Sequence, residues 1–102
     1  MSILHTVNKS SFAHSALKSC LATCTPQDSI LFIEDGVFGI ISSAPSIDAL
    51  EKLSTQGTKI YALSNDVNAR GLTQKISKFA QLIDYDEFVN LTVNHKCMQS
   101  WY

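Results

Sequence analysis

The chain has 102 residues, 45% of them hydrophobic and 17% charged, with four Gly and two Pro. That composition builds one compact domain with its own core and excludes a disordered segment. The net charge is −1, and Lys9, Lys18, Lys52, Lys59, Arg70, Lys75, Lys78 and Lys96 are scattered without a run or stripe, which excludes tight direct binding to nucleic acid, where affinity comes mainly from neutralised phosphates.

No apolar run approaches the ~20 residues of a membrane span. The opening MSILHTV carries no basic leader or cleavage site, and the cysteine count is three. The expectation is a cytoplasmic protein with reduced thiols and no membrane partner.

Residues 2–7, SILHTV, are short, apolar and partly β-branched, and predict a buried strand. Ser10 or Ser11 is placed to cap a helix over 12–24, whose apolar residues Ala13, Ala16, Leu17, Cys20, Leu21 and Cys24 recur at helical spacing until Pro26. Residues 29–34, SILFIE, predict a second buried strand, and VFGIISS after it leans to a short helix. Ser46 caps a helix through IDALEKLSTQ that Gly57 stops.

Residues 58–63, TKIYAL, predict a third strand, followed by a helical turn or two in SNDVNARGL. Residues 80–85, AQLIDY, predict a fourth, DEFVNLTVNH a last helix, and KCMQSWY a tail. Near-continuous apolar strands alternating with helices imply a mostly parallel sheet covered on both faces. The fold class is a small three-layer α/β domain filling residues 1–102.

Ligands of such sheets bind beyond the carboxyl ends of the strands. Those ends carry Asn8, Glu34, Asp35, Asn65, Asp66, Asp84 and Asp86. They could hold a divalent cation, or each could cap a strand-to-helix turn, and capping accounts for each of them individually. EDGVFG lacks both the third glycine of a dinucleotide fingerprint and the Gly-Lys-Ser/Thr of a P-loop, so no cofactor is expected.

Cys20-x3-Cys24 and His95-x-Cys97 are not usual zinc half-sites, so no metal is expected either. Cys20 and Cys24 share the apolar helix face and read as core fillers. Cys97 reads as exposed.

The stretches KIYALSNDVNARGL, LIDYDEFVNLTVNH and the terminal MQSW, with LFIEDGV and the opening ILHTVNKS before them, resemble the TusB/DsrH family of sulfur-relay proteins. The resemblance runs essentially the whole length, as several segments in the right order. It implies a flavodoxin-like α/β domain with a mostly parallel sheet of four to five strands, not catalytic alone. It also implies a heterohexamer with TusC/DsrF-like and TusD/DsrE-like sister subunits. In the Tus branch that complex takes sulfur from a TusA-like donor and passes it to a TusE-like acceptor, toward 2-thiolation of the tRNA wobble uridine. LKSC resembles DsrH-type members at the first helix, which makes Cys20 a candidate persulfide carrier.

Cys20 lies in the body of its helix, away from the positive end that would lower a thiol pKa, so packing stands beside the carrier role. Met98, Trp101 and Tyr102 read either as interface or as folded back on their own domain. Phe38, Ile40 and Ile41 read as contact surface. Two other functions stay open: a DsrH-type subunit in sulfur oxidation with Cys20 carrying sulfur, and a stand-alone domain binding a small ligand at the acidic strand ends.

Overall fold

The computed structural model describes residues 2–102. Its elements are β1 (Ile3–Val7), α1 (Ala16–Thr23), β2 (Ser29–Phe32), a 3-10 helix (Glu34–Ile40), α2 (Ile47–Thr55), β3 (Lys59–Leu63), α3 (Ser64–Ala69), β4 (Gln81–Ile83), α4 (Tyr85–Asn94) and β5 (Cys97–Trp101). The strands form one five-stranded sheet in the order β4-β3-β2-β1-β5. Every neighbouring pair is parallel, and the sheet lies between helical layers, as the strand and helix patterns implied. Among the described residues no helix is long and apolar enough to cross a membrane.

Alternation along the strands splits the core in two. Val7, Ile30, Phe32, Ile60 and Ala62 face a large cluster with Leu17 and Cys20 of α1, Val37 and Ile40 of the 3-10 helix, Leu50 of α2 and Val67 of α3. Leu4, Leu31 and Ile83 face the other side, where Phe88 and Leu91 of α4 pack. One sheet face thus carries most of the helical layer, and α4 stands on the other.

Several boundaries differ from the sequence expectation for local reasons. The first helix starts at Ala16 instead of 12, because the Ser10 carbonyl accepts from Ala13 N and His14 N in a separate turn. Neither Ser10 nor Ser11 is its N-cap; Ser15 is, without a side-chain capping bond. Asp84 opens α4 with a reciprocal capping box, its side chain accepting from Glu87 N while Glu87 accepts from Asp84 N.

The expected short helix after residue 34 is the 3-10 helix. It lies so close to β1 that a Cβ on Gly36 would run into the Val7 carbonyl. One expectation is overturned in part: Ile40 is completely buried and is not contact surface, while Phe38 and Ile41 pack against the core and stay partly exposed. The segment KCMQSWY is no tail either. Cys97–Trp101 pair in parallel with Ile3–Val7 as an edge strand.

Candidate functional site

Cys20 sits mid-helix in α1 with its side chain pointing into the larger core cluster, and it has no exposed surface. Burial pushes its thiol up to about 12, with the nearby Cys24 and Asp28 adding to the rise. Cys24 ends the helix, half-buried, and its thiol is pushed up to about 11 by burial and by Asp28, against a lowering hydrogen bond from Thr58. Both are thiols at neutral pH, whereas sulfur chemistry starts from a thiolate. Cys97 is exposed on β5.

Beside these thiols lies a cluster whose members are far apart in sequence. His5, in the middle of β1, has no exposed surface, and Asp28, just before β2, is nearly as buried. Nε2 of His5 lies 3.0 Å from Asp28 Oδ2. Trp101, at the end of β5, donates its indole N–H to Nδ1 of His5 at 3.0 Å, with the two rings inclined by only 28°. Asp28 also accepts the backbone N–H groups of Ile3 and Thr25. Burial alone would raise the Asp28 pKa, but the bonds from His5, Thr25 and Ile3 outweigh it and hold the carboxyl below its ordinary value.

His5, Cys24 and Asp28 bring one ligand atom each to within 4.8 Å of one another, the residue types of both a metal site and a nucleophile triad. The hydrogen bonds rule against either use. An indole nitrogen only donates, so Nδ1 of His5 is the bare nitrogen and the proton sits on Nε2, directed at Asp28. A ligating or proton-accepting nitrogen must be bare, and turning the tautomer round would set Nδ1–H against the indole N–H. His5 therefore cannot take the Cys24 proton without breaking with Trp101. The cluster is a buried polar pin joining β1, β5 and the α1–β2 connection.

The acidic strand ends are brought together only in part. Asp66 Oδ2 accepts the backbone N–H of Glu34, and Arg70 pairs with Asp35 at 2.9 Å and reaches the Asp66 carbonyl. Asp84 is occupied as the cap of α4. These carboxylates hold turns and an arginine.

His14 is exposed in the connection before α1, and His95 bonds the Leu91 carbonyl and Ser29 Oγ. His95 is thereby committed within the fold, two residues from an exposed Cys97.

The described surface carries an apolar stripe on α4, where Tyr85, Val89 and Val93 follow one another at four-residue spacing and are 61%, 46% and 76% exposed. Met98 and Tyr102 are also exposed, while Trp101 is folded back on its own domain.

A family profile described as "DsrH like protein" matches residues 9–98. "Protein TusB" of Yersinia enterocolitica is 38% identical over 99 residues, covering 97% of this chain and all of the relative. The chain belongs to the TusB/DsrH family. "Protein TusB" of Photorhabdus laumondii is 45% identical over 74 residues, 72% of this chain and 75% of the relative. The crystal structure of the ychN protein from E. coli superposes with a TM-score of 0.85 over 98% of both chains at 16% identity, a likeness of fold. In this TusB/DsrH-family chain the cysteine of LKSC is thus the buried Cys20 described above.

Proposed function

We propose that this single-domain chain is a cytoplasmic, TusB-type subunit of a persulfide-relay complex acting in 2-thiolation of the tRNA wobble uridine. The observation that carries the reading is the full-length identity with proteins named TusB, supported by the family match over residues 9–98. The scattered basic residues agree with a subunit that does not itself grip the tRNA.

Its role in the relay is structural support. Cys20 packs the core and does not carry sulfur in this conformation, a reading supported by its complete burial and raised pKa. The sulfur passes through TusC- and TusD-like sister subunits, between a TusA-like donor and a TusE-like acceptor. The Tyr85–Val89–Val93 stripe of α4 and exposed Met98 are the surfaces offered to those sisters, because contiguous exposed apolar patches mark protein interfaces.

The test is deletion of the gene followed by quantification of 2-thiouridine in digested tRNA. Loss of the modified nucleoside, restored by the wild-type chain and by Cys20→Ala alike, is the expected result. Unchanged thiolation would overturn the assignment, and a defect in sulfur oxidation instead would move the chain to the DsrH-type branch. Restoration by the wild type but not by Cys20→Ala, at equal protein levels, would make Cys20 the carrier.

A further inference from the structure

We propose that the hydrogen bond between Trp101 and His5 is an acid-sensitive latch that holds the end of β5 on the sheet. β5 is an edge strand paired on one side only, to β1. Four of its five side chains are exposed, and Trp101 is the one that turns inward to pack on the core. The indole bond to His5 at 3.0 Å, with the weaker Thr6–Ser100 hydroxyl contact at 3.2 Å, ties the last turn of chain to the interior.

Nδ1 of His5 is bare only while the ring is neutral. When it takes a proton from solvent, two N–H groups meet where a donor met an acceptor, and the latch bond is lost. On the opposite side of the ring the Asp28 carboxylate is 3.0 Å from Nε2, an ion-pair partner for the charged ring. The two states of His5 therefore differ on one side of the ring: Asp28 holds the ring in both, and Trp101 holds only the neutral one.

The other groups against His5 do not offset this exchange. Cys24 at the end of α1 is held as the neutral thiol, as is Cys20 behind it. β2 offers Ile30 and β5 offers Gln99 at the register positions beside His5. Among the described residues the only ion pair of His5 is with Asp28.

Release of the indole frees Trp101 and the exposed Tyr102 beside it. Together they line one side of an open cleft of about 350 Å³, facing His14, Ser15, Ala16 and Ser19 at the start of α1. Acidification thus remodels this surface while the rest of the sheet stays formed.

Trp101 is the chain's one tryptophan, so its emission and its indole N–H resonance are followed without a second indole. The experiment titrates the full chain from about pH 8 to about pH 5, the span over which histidine side chains change charge. The latch predicts that the indole resonance loses its hydrogen-bonded shift and the emission moves red before the sheet amides lose dispersion. Amide exchange at Met98–Trp101 then speeds up about tenfold relative to β2 and β3.

Trp101→Phe, which keeps an aromatic ring without the N–H, gives at neutral pH the fast β5 exchange that the wild type shows only in acid. In His5→Gln the acid step of the indole disappears. If these variants do not fold, a long-range proton–nitrogen spectrum of the wild type decides, since the latch requires the His5 proton on Nε2 at neutral pH. A proton on Nδ1 there, or indole and sheet signals that change together at one pH, would overturn the proposal.

Discussion

Asp66 Oδ2 accepts the backbone N–H of Glu34 at 2.7 Å, so the first turn of α3 holds the start of the 3-10 helix after β2. Glu34 is the one non-glycine described with a positive φ, at 50°, a conformation that costs an ordinary residue about 1 kcal/mol or more. The bond from Asp66 steadies that turn at the carboxyl end of the sheet, where a ligand of such a fold would sit. Asp66 is committed there to backbone, and Asp35 with Asp66 to Arg70.

Two outcomes follow. Asp66→Ala is expected to cost about 1.5 kcal/mol in urea unfolding with an unchanged m-value, since a charge-assisted bond is lost. Millimolar Mg²⁺ is expected to leave the melting temperature of the wild type unchanged. A clear rise with Mg²⁺ would return these strand ends to the role of ligand site.

Asp28 gives the fold an acid limit. Its carboxyl is held below the ordinary value in the folded chain, so the unfolded chain binds the proton more readily. The stabilisation is fully present above the ordinary carboxylate range, near pH 4, and is lost as pH falls from there through the lowered native value. Asp28→Ala leaves the Ile3 and Thr25 N–H groups and His5 Nε2–H without their acceptor. It is expected to cost about 3 kcal/mol near neutral pH. The difference from wild type should shrink as the pH drops below 4, and a constant difference would remove Asp28 from this role.

The three thiols are ranked by their surroundings. Cys97 is exposed, Cys24 half-buried and raised to about 11, and Cys20 buried and raised to about 12. Alkylation of the native protein near pH 8, read by peptide mass spectrometry, is expected to modify Cys97 first and Cys24 slowly. Cys20 should react only with denaturant present. Native labelling of Cys20 at a rate like that of Cys97 would show that this core opens to solvent and would revive its candidacy as a persulfide carrier.

Most of the architecture was legible because β1, β2 and β3 are apolar runs interrupted by turn residues, and each falls within two residues of its expected span. β5 was not legible as a strand. An edge strand with most of its side chains in solvent has no apolar run and little alternation to reveal it. The same holds for the His5 cluster, whose members lie 23 and 96 positions apart in sequence. The signal was a histidine in a buried strand, which needs a partner for each nitrogen, and a terminal tryptophan, which needs an acceptor. The burial of Ile40 was not legible because an apolar stretch after a turn looks alike whether it covers its own core or a neighbour's.

The apolar stripe of α4 separates assembly from folding. Val89 and Val93 are exposed, so Val89→Glu with Val93→Glu is expected to shift stability by less than about 1 kcal/mol. In the proposed complex the same pair should abolish co-purification with the sister subunits, since it sets buried charge in the interface. A doubly substituted chain that still assembles would place the sisters on another face.

The central claim is that this chain works as one subunit among three kinds, and native mass spectrometry of the tagged protein isolated from its own cells tests it most directly. The account predicts a six-chain mass that dissociates into three kinds of subunit, each present twice. A monomer or a homodimer under the same conditions would contradict it, leaving the family resemblance as one of fold and sequence without the shared assembly.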